Sequence, residues 1–376
     1  MFELLATDPG SQARRGRLTT PHGVIETPVF MPVGTQGAVK TLDPGELRDL
    51  GAEIILGNTY HLWLRPGEDV IAELGGLHRF STWDRPILTD SGGFQVWSLA
   101  KLRKISEKGV HFQNHLDGSP MMLTPEKSME IQAALGSDIA MVFDECPPYP
   151  CERAYAEEST GLTTRWARRC RDWIDRHAPV SGDGAQMHFG IVQGSTFADL
   201  RERSARDLVD LGFDGYAIGG VSVGEPEKEM FRAVEHAAPF LPADKPRYAM
   251  GLGTPPQMLE MIGRGVDLFD CVHPTRAARH GTVFTLDGPI HIKNAAYERD
   301  PRPLTPEAHP FVARFSRAYL RHLFRAGELL ALRLLSFHNL DFYLGLMRSA
   351  REAVEAGRFP AFKDDFIARY DTTRAP

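Results

Sequence analysis

Eight short apolar runs, each closed or followed by a polar residue or a glycine, constrain this chain more than any other feature. They are TPVFMPV (27–33), EIILGN (53–58), PILTD (86–90), DIAMVFD (138–144), MHFGIVQ (187–193), DGYAIG (214–219), PRYAMG (246–251) and VDLFD (266–270). They are rich in Val, Ile, Phe and Met and mostly lack polar alternation, as strands buried on both faces of a parallel sheet do. The intervals carry helix-start chemistry: Thr124-Pro125 and Thr254-Pro255 pair a capping residue with proline at the first helical position. The stretch 152–178 is long enough for a substantial helix. This alternation predicts an α/β fold, a (β/α)8 TIM barrel, with a doubly wound open sheet as the competing arrangement. Asp117-Gly118 and Asp287-Gly288 read as β-hairpin turns. Residues 1–300 are therefore expected to form a catalytic barrel with N-terminal and inserted hairpins. After Pro301 the pattern is helical, which predicts a C-terminal helical subdomain over 301–376 packed on the barrel.

Charge and cysteine usage narrow the setting. The net charge is -6, which argues against indiscriminate nucleic-acid binding but allows a local basic footprint. Such a footprint follows Asp270 in DCVHPTRAARHG, with Arg276, Arg279 and two histidines. No apolar run approaches the ~20 residues of a membrane span, and the N-terminal apolar patch is too short for a secretory signal. Cys146, Cys151, Cys170 and Cys271 form no CxC or CxxC pair. The expectation is a cytoplasmic protein with reduced thiols and no membrane partner.

The ends of the runs carry the chemistry. Asp90, Asp144, Gln193, Gly219-Gly220, Met250-Gly251 and Asp270 close six of them in succession, and in a barrel such positions converge on one mouth. Asp and Gly also end strands merely because they suit turns, so no single one decides the matter; the succession does. TDSGGFQ and IGGVSVGE let backbone amides approach a flat ligand closely, and neither has the spacing of a nucleotide-phosphate loop. Three carboxylates in one pocket suit attack on a sugar anomeric carbon, one as nucleophile and one as proton carrier. The third would accept hydrogen bonds from a purine's N–H groups. The arginines after Asp270 would then hold phosphates of the polymer under attack.

These residues bring a family likeness with them. TDSGGFQ, FDECPPYP, GIVQGS, AIGGVSVGE, MGLGTP, FDCVHPTRAARHG and SRAYLRHL resemble motifs of bacterial tRNA-guanine transglycosylases, over residues 2 to about 370. The resemblance implies exchange of guanine at the tRNA wobble position for 7-aminomethyl-7-deazaguanine, in queuosine biosynthesis. By it, Asp270 is the nucleophile that links to ribose C1′, and Asp90 takes the proton of the incoming base. Asp144, Gln193, Gly219, Gly220 and Val221 read the base edge, while Phe94 and Met250 sandwich its faces. Arg276 and Arg279 contact the anticodon loop. Cys146 and Val223 fit the bacterial preference for the aminomethyl precursor, although Val223 is equally read as simple packing. A homodimer is implied as well.

One stretch departs from the family. A structural zinc is usual there, bound by CxCxxC and a later histidine, but the matching segment PEAHPFVARFSRAYL (306–320) has no cysteine. Ala308, His309 or Pro310, and Val312 or Ala313 stand where thiolates are expected, and His338 is a remnant of the fourth ligand. Two imidazoles do not make a four-coordinate site, so no zinc and no other cofactor is expected; Phe311, Val312 and Phe315 would form an apolar plug. In the following helix Arg314, Arg317, Arg321 and Arg325 share one face, a possible tRNA contact or an ordinary solvated face. Phe315, Tyr319 and His322 share another, the implied dimer contact. A glycoside hydrolase is disfavoured by the base-reading set. A relative acting on DNA and a non-catalytic tRNA-binding subunit are the alternatives, the latter opposed by the presence of both Asp90 and Asp270.

Overall fold

A computed structural model describes residues 1–99, 103–177 and 185–370. Eight parallel strands form its centre: β1 (Val29–Pro32), β2 (Ile55–Gly57), β3 (Ile87–Thr89), β4 (Ile139–Met141), β5 (Met187–Val192), β6 (Gly215–Ile218), β7 (Arg247–Ala249) and β8 (Leu268–Cys271). Each lies inside or overlaps one of the eight apolar runs. Their order around the sheet is β1-β8-β7-β6-β5-β4-β3-β2. A single parallel bridge between Val33 and Leu56 joins the two ends, so the sheet is a nearly closed barrel. The competing open sheet is thereby excluded, because β1 pairs with β8 along four residues, from Leu268–Val29 to Cys271–Pro32.

The helices wall this sheet. Thr124 caps Pro125–Leu135 by accepting from Lys127 N–H, whereas Thr254 precedes Pro255–Ile262 without a side-chain cap bond. The long expected helix is Arg153–His177; Ala178 lies outside the described residues. Both DG turns sit in hairpins, between Gly109–Gln113 and Pro120–Leu123 and between Thr282–Val283 and Ile290–His291. After Pro301 come the helices Pro310–Ala313, Arg317–Ala326, Leu329–Glu355 and Phe359–Arg369; residues 371–376 lie outside the described residues. Leu329–Glu355 packs directly on β1 and on the helix that follows β8. It buries Leu334, Leu335, Phe337, Tyr343 and Met347 in the core shared with the barrel.

The N-terminal end of the barrel is fastened by one carboxylate. A three-stranded antiparallel sheet (Phe2–Thr7, Arg14–Thr20, Gly23–Thr27) covers this end. Asp138, just before β4, accepts from His22 N–H (3.1 Å), Ile87 N–H (2.8 Å), His22 Nδ1 (2.8 Å) and His78 Nε2 (3.0 Å). It thereby ties the sheet, the helix Gly76–Ser81 and two barrel strands together. The two imidazoles stack at 3.5 Å and 13°, so their nitrogens address different carboxylate oxygens. Parallel rings at that spacing cannot both direct an in-plane lone pair at one ion, so the group reads as a hydrogen-bonded staple.

Candidate active site

The opposite, C-terminal end collects the residues singled out in the sequence. Asp90 directly follows β3. Thr59 N–H (2.9 Å) and Gly92 N–H (3.2 Å) donate to its Oδ1, and Gln95 Nε2 (2.7 Å) and Asn58 Nδ2 donate to its Oδ2. Burial outweighs these four donors, and the charge of Asp270 adds to it, so the carboxyl is raised from 3.8 to about 6.

Asp270, within β8, is bonded differently. Tyr248 O–H (2.5 Å) and Gly251 N–H (2.7 Å) both donate to Oδ1, and the lone pairs of Oδ2 are not used by either. Burial raises the proton affinity of Asp270 against these donors. Burial and the charge of Asp270 hold the Tyr248 hydroxyl well above its usual range, so it stays a donor.

A second group sits beside the first. Asp144, beyond β4, accepts from Ser91 O–H (3.1 Å) and Gln193 Nε2 (2.8 Å), and burial raises its proton affinity. Ser91 is the neighbour of Asp90, so the end of β3 joins the two groups. Gln193 follows β5, and its Oε1 is buried without a partner. The Gly219–Gly220 turn after β6 lies against that amide. Gly220 has φ +60°, and a Cβ there would stand 2.6 Å from Gln193 Oε1; only glycine fits. Val221 is buried behind the turn.

The remaining predicted residues form the rim. Phe94 is 44 % exposed on the first turn of helix Gly93–Leu99, and Met250, half-buried, follows β7. Cys146 is buried, its thiol pushed far up by burial and by the charge of Asp144. Val223 is half-buried, and its N–H donates to Glu225 (2.9 Å). Arg276 and Arg279 lie on His273–Arg279, the helix entered directly from β8. Neither has a carboxylate partner among the described residues, and Arg279 Nη1 is buried with no hydrogen bond. A buried guanidinium N–H left open in this way is the kind of group a phosphate oxygen satisfies.

The C-terminal segment does not offer the residues a zinc needs. His338 is buried, with Nε2 on Phe284 O (2.9 Å) and Nδ1 without a partner. All four cysteines are free, and none lies in the C-terminal segment itself. The charges of Asp341 and Glu307 reach His338, but no group of three ligand-type side chains that includes it gathers among the described residues. Instead Val312 is fully buried, Phe311 packs on Phe337 at 4.9 Å, and His309 packs on the same ring at 5.0 Å. The arginine face that follows is largely engaged within the chain. Arg314 lies over Phe311 and Phe315, Arg317 binds Asp300 (3.2 Å) and Leu304 O (2.6 Å), and Arg321 binds Asn294 O (3.1 Å). Phe315 stacks on Tyr319, which is 41 % exposed.

Sequence reasoning missed the residues that hold the carboxylates. Asn58 carried a usable signal, since it closes the second apolar run as Asp90 closes the third. Tyr248 carried little, because it lies inside a strand.

Buried carboxylates gathered in the mouth of a (β/α)8 barrel suit glycosyl transfer, and the comparisons make the class a pentosyltransferase. Comparison with known proteins carries the assignment to a family. The family model described as queuine tRNA-ribosyltransferase matches residues 8–372, and the chain belongs to that family. It is 58 % identical over 369 residues to a queuine tRNA-ribosyltransferase of Desulforudis audaxviator, with 98 % of each chain covered. It is 56 % identical over 370 residues to one of Pelotomaculum thermopropionicum, again with 98 % of each covered. With one of Bacillus subtilis it shares 54 % over 370 residues, covering 98 % of this chain and 96 % of the other. No described helix is long and apolar enough to cross a membrane.

Proposed function

We propose that this chain exchanges guanine in the anticodon loop of tRNA for 7-aminomethyl-7-deazaguanine, through a covalent link between Asp270 and ribose. The observation that carries the reading is the unequal pair of carboxylates. Asp270 has one oxygen engaged by two donors and the other open, as a nucleophile requires. Asp90 has all four of its bonds made and a pKa near 6, so it is mostly ionised at neutral pH and able to take a proton. In the first step Asp270 Oδ2 bonds to C1′ as the C1′–N9 bond breaks, and guanine leaves with the electron pair and takes a proton from solvent. In the second, N9 of the incoming base attacks C1′, its proton passes to Asp90, and the Asp270–C1′ bond breaks.

The base edge supports the purine. Asp144 supplies acceptors for its N1–H and 2-amino group, and the Gly220 N–H supplies a donor for the 6-oxo group. Phe94 and Met250 would cover its faces; base stacking of this kind contributes about 1–3 kcal/mol per base. Arg276 and Arg279 would hold backbone phosphates. The exposed Phe315–Tyr319 surface suits a second copy of the chain, giving a homodimer in the cytoplasm. The apolar packing around His338 supports a C-terminal region that holds without zinc. Radiolabelled guanine exchange into tRNA, compared with DNA, tests the reading. Exchange specific to tRNA, lost in Asp270→Ala with the fold intact, is expected; exchange preserved in that variant would overturn it.

A further inference from the structure

We propose that Arg201 is a positioning residue for base recognition, which aims the Gly220 N–H at the purine by holding the carbonyls on either side of it. The inference rests on the base-edge reading above and goes one layer behind it. Arg201 lies on the helix Ala198–Leu211 and is 0 % exposed. It has no carboxylate partner. Its guanidinium instead donates to four backbone carbonyls at the ends of β5 and β6: Val192 (3.2 Å), Ser195 (2.8 Å), Gly219 (2.6 Å) and Gly220 (3.1 Å). Burying a cation with no carboxylate in contact is costly, even with the charge of Glu225 within reach, and carbonyls of a turn at the mouth of a barrel can be satisfied by water. The cation therefore does something water would not do, which is to fix orientation.

The geometry says which orientation. In a trans peptide the C=O and the following N–H point in opposite directions. With Gly219 O held on Arg201, the Gly220 N–H is turned away from the guanidinium, and with Gly220 O held there the Val221 N–H is turned away too. Away from the guanidinium lie the Cys146 thiol and Asp144, close enough that the Gly220 backbone and the Asp144 charge both act on the thiol. Gln193 packs on the Gly–Gly turn beside Arg201: Cβ atoms on Gly219 and Gly220 would stand 2.7 and 2.6 Å from its amide, and the one on Gly220 3.3 Å from Arg201 Nη2. Together the two side chains leave the turn one position, and Gln193 links it to Asp144 (2.8 Å). A guanine edge needs that sequence, an acceptor for N1–H and the 2-amino group next to a donor for O6.

The test separates aiming from general support. Arg201→Lys keeps the charge but loses the fork of donors, and Arg201→Gln keeps a neutral donor. Competitive inhibition of guanine exchange is measured with guanine, 6-thioguanine (whose sulfur is a weak acceptor at position 6) and hypoxanthine (which lacks the 2-amino group). In both variants guanine is expected to weaken about tenfold. Its advantage over 6-thioguanine should collapse, while its advantage over hypoxanthine, which reports on Asp144, stays unchanged. Parallel weakening of all three bases, no weakening, or failure of both variants to fold would overturn the proposal. If Asp144→Asn leaves the preference for guanine over hypoxanthine intact, the base-edge reading itself fails, independently of Arg201.

Discussion

Asp90 and Asp270 lie close enough in one barrel mouth that the charge of Asp270 raises the proton affinity of Asp90. Burial raises the proton affinity of both carboxyls. What distinguishes them is their bonding: both oxygens of Asp90 accept hydrogen bonds, whereas the two donors to Asp270 share one oxygen.

A pH profile follows from the pKa of about 6 at Asp90. If Asp90 must be ionised to receive the proton of the incoming base, kcat/KM should fall about tenfold per pH unit below that value and level off above it. In Asp90→Asn the remaining activity should be very low and the limb absent. Stability moves the other way. The folded state binds a proton at Asp90 that the unfolded state has released between 3.8 and about 6, so this group's contribution falls as pH rises through that window. A rate profile without a limb near 6 would remove Asp90 from the proton step.

Tyr248→Phe should separate the nucleophile from its support. The variant deletes one of the two donors on Asp270 Oδ1 and fills the same volume. A hydrogen bond to a charged group contributes about 1.5–3 kcal/mol, so kcat/KM should drop roughly ten- to a hundredfold. The melting temperature should barely move. Equal activity in the variant would mean that Gly251 N–H alone suffices.

At the other end of the barrel, Asp138→Asn is expected to destabilise the fold by about 2–3 kcal/mol, because an amide donor then faces two imidazoles and two peptide N–H groups. Despite burial, the bonds from His78, Ile87 and His22 hold this carboxyl below its ordinary 3.8. Its stabilising contribution is therefore complete above that value and is lost as pH falls through the lower folded one. Denaturant titration from pH 3 to 7 should show the difference between the two proteins shrinking on the acid side. Base exchange at neutral pH should be kept, since this staple lies at the opposite end from the mouth.

The barrel was legible because strands covered on both faces must be apolar throughout, and because their polar terminators mark one end of the sheet. Asp90, Asp144, Gln193 and Asp270 could be placed from those two facts alone. Tyr248 could not, since an aromatic residue within a β-rich run reads as core until its hydroxyl is seen on Asp270. Arg201 was hidden more deeply. In DLRERSARD it stands among charges on an amphipathic helix and reads as solvated, yet it is the one arginine of that stretch with no exposed surface. Periodicity tells which helical face is buried, not whether a cation on it will find four carbonyls.

The C-terminal segment gives the last expectation. In this chain apolar contact and ion pairs occupy the region where the family's ligand set is missing. Val312 is buried, Phe311 and His309 flank Phe337, and Arg317 joins Asp300 to the carbonyl of Leu304. If these contacts carry the load, a strong chelator should leave the melting temperature unchanged, and elemental analysis should find no stoichiometric zinc. Phe311→Ala, by contrast, should cost about 2–4 kcal/mol, toward the low end because the ring is only half-buried. The loss should show as earlier protease cleavage between residues 300 and 326, with the barrel still resistant, because Leu329–Glu355 is anchored separately on β1. One tightly bound zinc per chain, or a chelator-induced drop in melting temperature, would mean that ligands outside this segment supply the metal and that the aromatic contacts are secondary.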